Sequence, residues 1–107
     1  MSYREDVKRT ANPDLTKDEL LVNGAMGLAG EAGEVIDLVK KIIFHGKPFD
    51  REKLINELGD VRWYLELVSI YLDAPMEEIE AKNIEKLRQR YPEGFSSKAS
   101  EERKDVK

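Results

Sequence analysis

Apolar residues recur along this chain with the spacing of helices that pack on other helices. From Leu21 the apolar or small positions are Leu21, Ala25, Leu28, Ala32, Val35, Val39 and Ile42. Their alternating steps of four and three form the seam of an amphipathic helix. His45, Gly46, Lys47 and Pro48 follow, and a glycine just past the last seam residue with a proline beyond it ends a helix. The pattern resumes at Leu54, Leu58, Val61, Leu65, Val68 and Leu72, with Asp50 placed to cap its start. So short a connection predicts an antiparallel hairpin of two long helices. Asp73-Ala74-Pro75 breaks the pattern. A further helix is predicted over about Met76 to Arg90, where Ile79, Asn83, Lys86/Leu87 and Arg90 recur at helical spacing.

The flanks carry weaker signals. Residues 1–14 read as an N-terminal segment able to form a short helix over about residues 2 to 10. It ends at Asn12-Pro13-Asp14, where proline disfavours helix for its predecessor and Asp14 is placed to cap the helix that follows. Residues 15–95 form the helical domain. Residues 96–107, rich in Ser, Lys, Glu and Arg with almost nothing apolar, are expected to be a mobile polar tail. The expected fold class is all-α, a helical bundle built on the long antiparallel pair. A chain of 107 residues supports one domain with a modest core, so completion by oligomerisation is expected. Gly24, Gly27, Gly30 and Gly33 fall inside the first long helix. Each costs about 1 kcal/mol against alanine there, which calls for close approach of a helix, a substrate or a metal-bound water.

Charge and composition narrow the function classes. The 22 Asp+Glu against 18 Lys+Arg give a net charge of -4, without the basic excess that binds polymeric nucleic acid. No cysteine is present, which excludes disulfides and thiolate metal sites and suits a reducing, cytoplasmic location. The first residues contain no apolar signal core, and nowhere is there the run of roughly 18 apolar residues that spans a membrane. A soluble protein without membrane association is expected.

The chemistry lies in the acids. Glu31 and Glu34 are three residues apart, which on a helix separates them by about 60° around the axis and roughly 4.5 Å along it. Glu57 and Asp60 repeat that spacing on the second long helix. Both pairs adjoin their seams and are expected to face the groove between the helices. Four carboxylates at a half-buried seam raise one another's pKa or strain the fold unless cations sit between them. Oxygen-only ligands select a hard divalent ion, Mg²⁺ above all, with Mn²⁺ as a substitute. A solvated acidic face is the plainer reading of any single pair. A carboxylate-bridged di-iron bundle requires Glu-x-x-His pairs, and the one histidine, His45, has Ile42 three residues before it. Zinc lacks nitrogen and sulfur ligands here.

The acids sit in longer blocks. Gly27-Leu28-Ala29-Gly30-Glu31-Ala32-Gly33-Glu34-Val35, Lys40-Lys41, Glu57-Leu58-Gly59-Asp60-Val61 with Trp63-Tyr64, and Asn83-Ile84-Glu85-Lys86-Leu87 with Arg90-Tyr91-Pro92 follow in order. Over about residues 15 to 96 the chain resembles the MazG-like, all-α nucleoside triphosphate pyrophosphohydrolases. The resemblance implies a bundle working as a homodimer or homotetramer that converts (deoxy)nucleoside triphosphates to monophosphate and pyrophosphate, in nucleotide pool clean-up or control. It implies Glu31, Glu34, Glu57 and Asp60 as Mg²⁺ ligands, Asn83 and Lys86 near the phosphates or nucleotide, and attack at the α-phosphorus. It leaves the base and sugar open. The chain carries one copy of the pattern, unlike tandem-domain relatives.

Glu34 and Glu57 are the catalytic candidates, Glu34 as acceptor of the attacking water's proton. Arg90 and Lys41 are further substrate-binding cations, and Trp63 is a surface for base stacking; solvated charge and core packing are the plainer roles for these residues. Two other functions fit the same sequence: a non-catalytic helical dimerisation or adaptor module, and a metal-binding regulator that senses nucleotide without turnover.

Overall fold

The computed structural model describes residues 1–106. It consists of five helices, α1 (Tyr3–Thr10), α2 (Lys17–Phe44), α3 (Arg51–Tyr71), α4 (Met76–Arg90) and α5 (Ser97–Glu102), with no strand among the described residues. Two compact units divide the chain, one from Met1 to Asp73 and the other from Ala74 onward.

In the first unit α2 and α3 form the expected hairpin. Gly24 faces Leu67 and Val68, and Gly27 faces Tyr64, while further along α2 Glu31 meets Glu57 and Asp60. Ascending numbers on one helix thus meet descending numbers on the other, so the pair is antiparallel. The contact line on α2 differs from the apolar seam by one step. Gly24 is buried and Glu31 half-buried, whereas Ala25 and Ala32 are exposed. The reason is steric: a Cβ on Gly24 would stand 2.8 Å from Val68 Cγ2, and one on Gly27 would collide with the Tyr64 ring. Two of the four glycines therefore admit the facing helix, while Gly30 and Gly33 have no such neighbour.

The helix ends follow from local chemistry. Asp50 caps α3 by accepting from the Lys53 backbone N–H at 3.1 Å. For α2 the cap is Thr16 and not Asp14. Thr16 Oγ1 accepts from the Glu19 N–H at 3.2 Å and Glu19 Oε1 accepts from the Thr16 N–H at 2.9 Å, a reciprocal capping box that satisfies two free donors. Gly46, at φ +70°, takes the left-handed position that ends α2.

α1 docks on α3 through one face. Tyr3, Arg4, Val7 and Thr10 recur at steps of one, three and three. Val7 is fully buried, and the Arg62 guanidinium lies 4.7 Å from the Tyr3 ring centroid. Arg4 Nη1 donates to Glu66 Oε2 at 2.6 Å and to Ser69 Oγ at 3.0 Å, and Arg4 Nη2 donates to the Ser69 carbonyl at 3.2 Å. Glu66 also contacts Arg62 Nη1 at 2.8 Å. A buried carboxylate is tolerated when it is paired and hydrogen-bonded in this way.

The second unit holds α4 and α5. α4 begins after Pro75, which supplies no side-chain cap, with Glu77 and Glu78 in its first turn favouring its dipole. The tail expected from composition contains α5, capped by Ser96 Oγ accepting from the Ala99 N–H at 3.0 Å. Asp105 beyond it accepts from Arg90 Nε and Nη2, both at 2.8 Å. Lys107, the last residue of that tail, lies outside the described residues. Among the described residues no helix is long and apolar enough to cross a membrane.

Candidate functional site

Antiparallel packing carries Glu31 of α2 to Glu57 and Asp60 of α3. One carboxylate oxygen from each lies within 4.8 Å of the others. Glu31 and Glu57 are half-buried and Asp60 exposed. Loss of hydration together with the crowding of like charge pushes the Glu31 carboxyl up. Loss of hydration is the largest cause, followed by the charges of Asp60, Glu57 and Glu34, and by a hydrogen bond with Glu57 that only a protonated carboxyl makes. A proton or a cation among these carboxylates would relieve the repulsion.

The donor set fits Mg²⁺ on chemical grounds. It is all oxygen, the donor type that suits a hard divalent cation. Among the described residues no histidine or cysteine joins the cluster, which argues against zinc.

Glu34, one turn beyond Glu31, stands outside that trio. It lines an adjoining cleft of about 90 Å³ with Asp37, Leu38, Lys41, Lys53 and Glu57. Glu57 therefore borders both places. Lys41 Nζ pairs with Asp37 Oδ2 at 2.9 Å. Hydrogen bonding to Asp37 comes first among the causes that raise the Lys41 ammonium, and the reciprocal bond holds Asp37 below the usual carboxylate range.

On the other side of the trio lies an open cleft of about 380 Å³, lined by Thr10, Glu31, Asp60, Trp63 and Tyr64. The two aromatic rings meet edge to face with centroids 4.9 Å apart. Trp63, singled out from the sequence as a stacking surface, thus borders the acids. Asn83, Lys86 and Arg90 lie on α4 in the second unit, where Asn83 and Lys86 are exposed. Arg90 is engaged by both Asp105 oxygens, and this bidentate pairing pushes its already high pKa further up.

Among the polar lining residues, Lys53 and Thr10 escaped the sequence reading. Lys53 lies four residues before Glu57 and so on its face of α3, a signal that was available. Thr10 had none, because nothing in spacing links residue 10 to residue 63.

A long antiparallel helix pair that gathers carboxylates between its members defines an all-α scaffold centred on an acid cluster. Residues 23–95 match the MazG nucleotide pyrophosphohydrolase domain, and the chain belongs to that family. A similar protein is the Gene 37 protein of Mycobacterium phage L5, 38% identical over 73 residues, a match covering 64% of this chain and 64% of that protein. No solved structure matches the chain significantly.

Proposed function

We propose that this chain is a Mg²⁺-dependent nucleotide pyrophosphohydrolase that splits (deoxy)nucleoside triphosphates into monophosphate and pyrophosphate, in nucleotide pool clean-up or control. The observation that carries this reading is the convergence of Glu31, Glu57 and Asp60 within 4.8 Å in a member of the MazG family. Glu31, Glu34, Glu57 and Asp60 would hold Mg²⁺, or Mn²⁺ in its place. When bound, the ion supplies neutralisation of the phosphate charge and acidification of water.

The chain's own groups do the rest. Glu34, exposed and outside the trio, accepts the proton of the attacking water, and Glu57 joins the acid cluster to the cleft where Glu34 stands. Lys41 and Lys53 border that cleft and offer cations to phosphate oxygens. Lys41 is oriented there by its ion pair with Asp37. Trp63 provides a stacking surface for the base, and the family resemblance adds Asn83, Lys86 and Arg90 as candidate substrate contacts. Attack at the α-phosphorus leaves pyrophosphate as the departing group.

The working form is a homo-oligomer, a dimer or tetramer. Among the described residues Val7, Leu67 and Ala74 alone are buried hydrophobic residues, while Met26, Ile36 and Ile43 of α2 are 70%, 63% and 66% exposed. With Val22, Ala29 and Gly33 they form a second stripe in steps of three, four and seven along α2. A second copy of the chain would cover it, since so thin a core and so long an apolar stripe suit association.

The test is phosphate against pyrophosphate release from canonical, deoxy and modified triphosphates, with Mg²⁺ and with EDTA, for wild type and Glu57→Gln. Metal-dependent monophosphate and pyrophosphate, lost in the variant, is the expected result. No turnover by folded, metal-loaded protein would overturn the reading in favour of an adaptor or a nucleotide sensor.

A further inference from the structure

Trp63 is the chain's only tryptophan, and its indole Nε1–H donates to Thr10 Oγ1 at 2.8 Å. The same hydroxyl bonds back to its own helix, 2.9 Å from the Asp6 carbonyl and 3.1 Å from that of Val7. A threonine hydroxyl has one proton and two lone pairs. Its proton is therefore committed to the carbonyls of α1, and a lone pair is left for the indole. α1 is a fixed post for this contact, because Tyr3, Arg4 and Val7 hold it on α3. Thr10 and Trp63 both line the cleft that Glu31 and Asp60 border. α1 also lies outside the residues that match the family.

We infer that Thr10 is a positioning residue for nucleobase binding, fixing the Trp63 indole through its single donor so that a base in this cleft is met by the ring's π surface. The inference rests on the triphosphate chemistry proposed for the adjacent carboxylates. An indole whose N–H is already engaged has no donor left for reading base edges. Recognition here is by stacking, which tolerates any base. Thr10 touches neither phosphate nor metal ligand in this scheme, so its removal weakens binding of the nucleoside and spares the chemical step.

The experiment compares Thr10→Val, which keeps the shape and removes the hydroxyl, with Thr10→Ser, which keeps the hydroxyl. Nucleoside triphosphates and methyl triphosphate, which has the phosphates without a base, are the substrates. Thr10→Val is expected to raise KM for nucleoside triphosphates roughly tenfold, in keeping with the strength of a base stack, with kcat nearly unchanged. KM for methyl triphosphate stays at the wild-type value, and Thr10→Ser behaves as wild type. In a Trp63→Phe background Thr10→Val has no further effect, as a coupled pair requires. Trp63 emission, read without substrate, shifts in Thr10→Val and returns in Thr10→Ser. Equal KM increases for both substrate types would show a merely structural role and overturn the inference, as would unchanged KM or unchanged emission. Turnover by wild type with an unchanged KM for nucleoside triphosphates in Thr10→Val sinks this inference alone, whereas no turnover of any triphosphate by wild type sinks the pyrophosphohydrolase reading and this inference together.

Discussion

Gly27 on α2 and Tyr64 on α3 are packed so closely that a methyl group at position 27 has no space unless the ring moves. Tyr64 in turn meets Trp63 edge to face and lines the cleft beside Glu31 and Asp60. A backbone position with no side chain thus sets the wall of the candidate site. Gly27→Ala is expected to destabilise the protein by about 1–3 kcal/mol through overpacking, in spite of the roughly 1 kcal/mol that alanine gains in helix propensity. Gly59→Ala on α3, where nothing lies within 4 Å of the added atom, should be neutral or stabilising by up to about 1 kcal/mol. Urea denaturation of the two variants checks both.

Removing one acid from the trio separates metal binding from folding. Without metal, Glu57→Gln relieves repulsion around Glu31 and should melt at or above the wild-type temperature. Adding Mg²⁺ at about one hundred times its dissociation constant should stabilise wild type by roughly 2.7 kcal/mol and the variant far less. Activity should fall by at least about 100-fold. Calorimetry with and without Mg²⁺ reads the first effect, and pyrophosphate release the second.

Acid should weaken the clasp between α1 and α3 through Glu66. Burial pushes this carboxyl up, but its contacts with Arg62, Ser69 and Arg4 outweigh that effect and hold it below the ordinary carboxylate range. The group binds its proton less readily folded than unfolded. Its contribution is therefore fully present above the unfolded value, roughly pH 4.3, and is lost as pH falls through the folded value. At neutral pH Glu66→Gln should cost about 1.5–3 kcal/mol. The gap to wild type should close as the solution is acidified, a trend that stability curves across pH would measure.

Charge on the outward stripe of α2 should dissolve the proposed oligomer. Ile36 is 63% exposed and contributes little to the hairpin, so Ile36→Glu should preserve helicity while producing a monomer. Light scattering coupled to size exclusion reads the mass. A wild-type protein already monomeric at micromolar concentration would refute the proposed use of this face.

Much of this architecture was legible because helical periodicity is a local signal. α3 and α4, the turn at Gly46 and the Asp50 cap all follow from residues within a few positions of one another. The contact line on α2 was displaced because a reading of apolar side chains gives weight to Ala25 and Ala32 and none to Gly24, which is chosen for having no side chain. α1 carried little signal because only Val7 of its docking face is fully buried, and the remaining contacts are made by a guanidinium, a hydroxyl and a phenol ring. The composition of residues 96 to 107 likewise concealed the pairing of Asp105 with Arg90, which depends on the chain turning back. For the acids, three-residue spacing on two paired helices announced Glu31, Glu57 and Asp60. It did not distinguish Glu34, whose place in the neighbouring cleft depends on the rotation of α2 about its axis.

That rotation limits how such a chain can change in length. α2 meets α3 on one face, presents Glu31 to Asp60 along the same line and turns Met26 and Ile36 outward. Inserting or deleting one residue between Gly24 and Glu31 swings everything beyond it by about 100°, which would remove Glu31 from its partners on α3. Variation in length belongs instead in the six residues from His45 to Asp50, where an added residue lengthens a loop and leaves both helices in register.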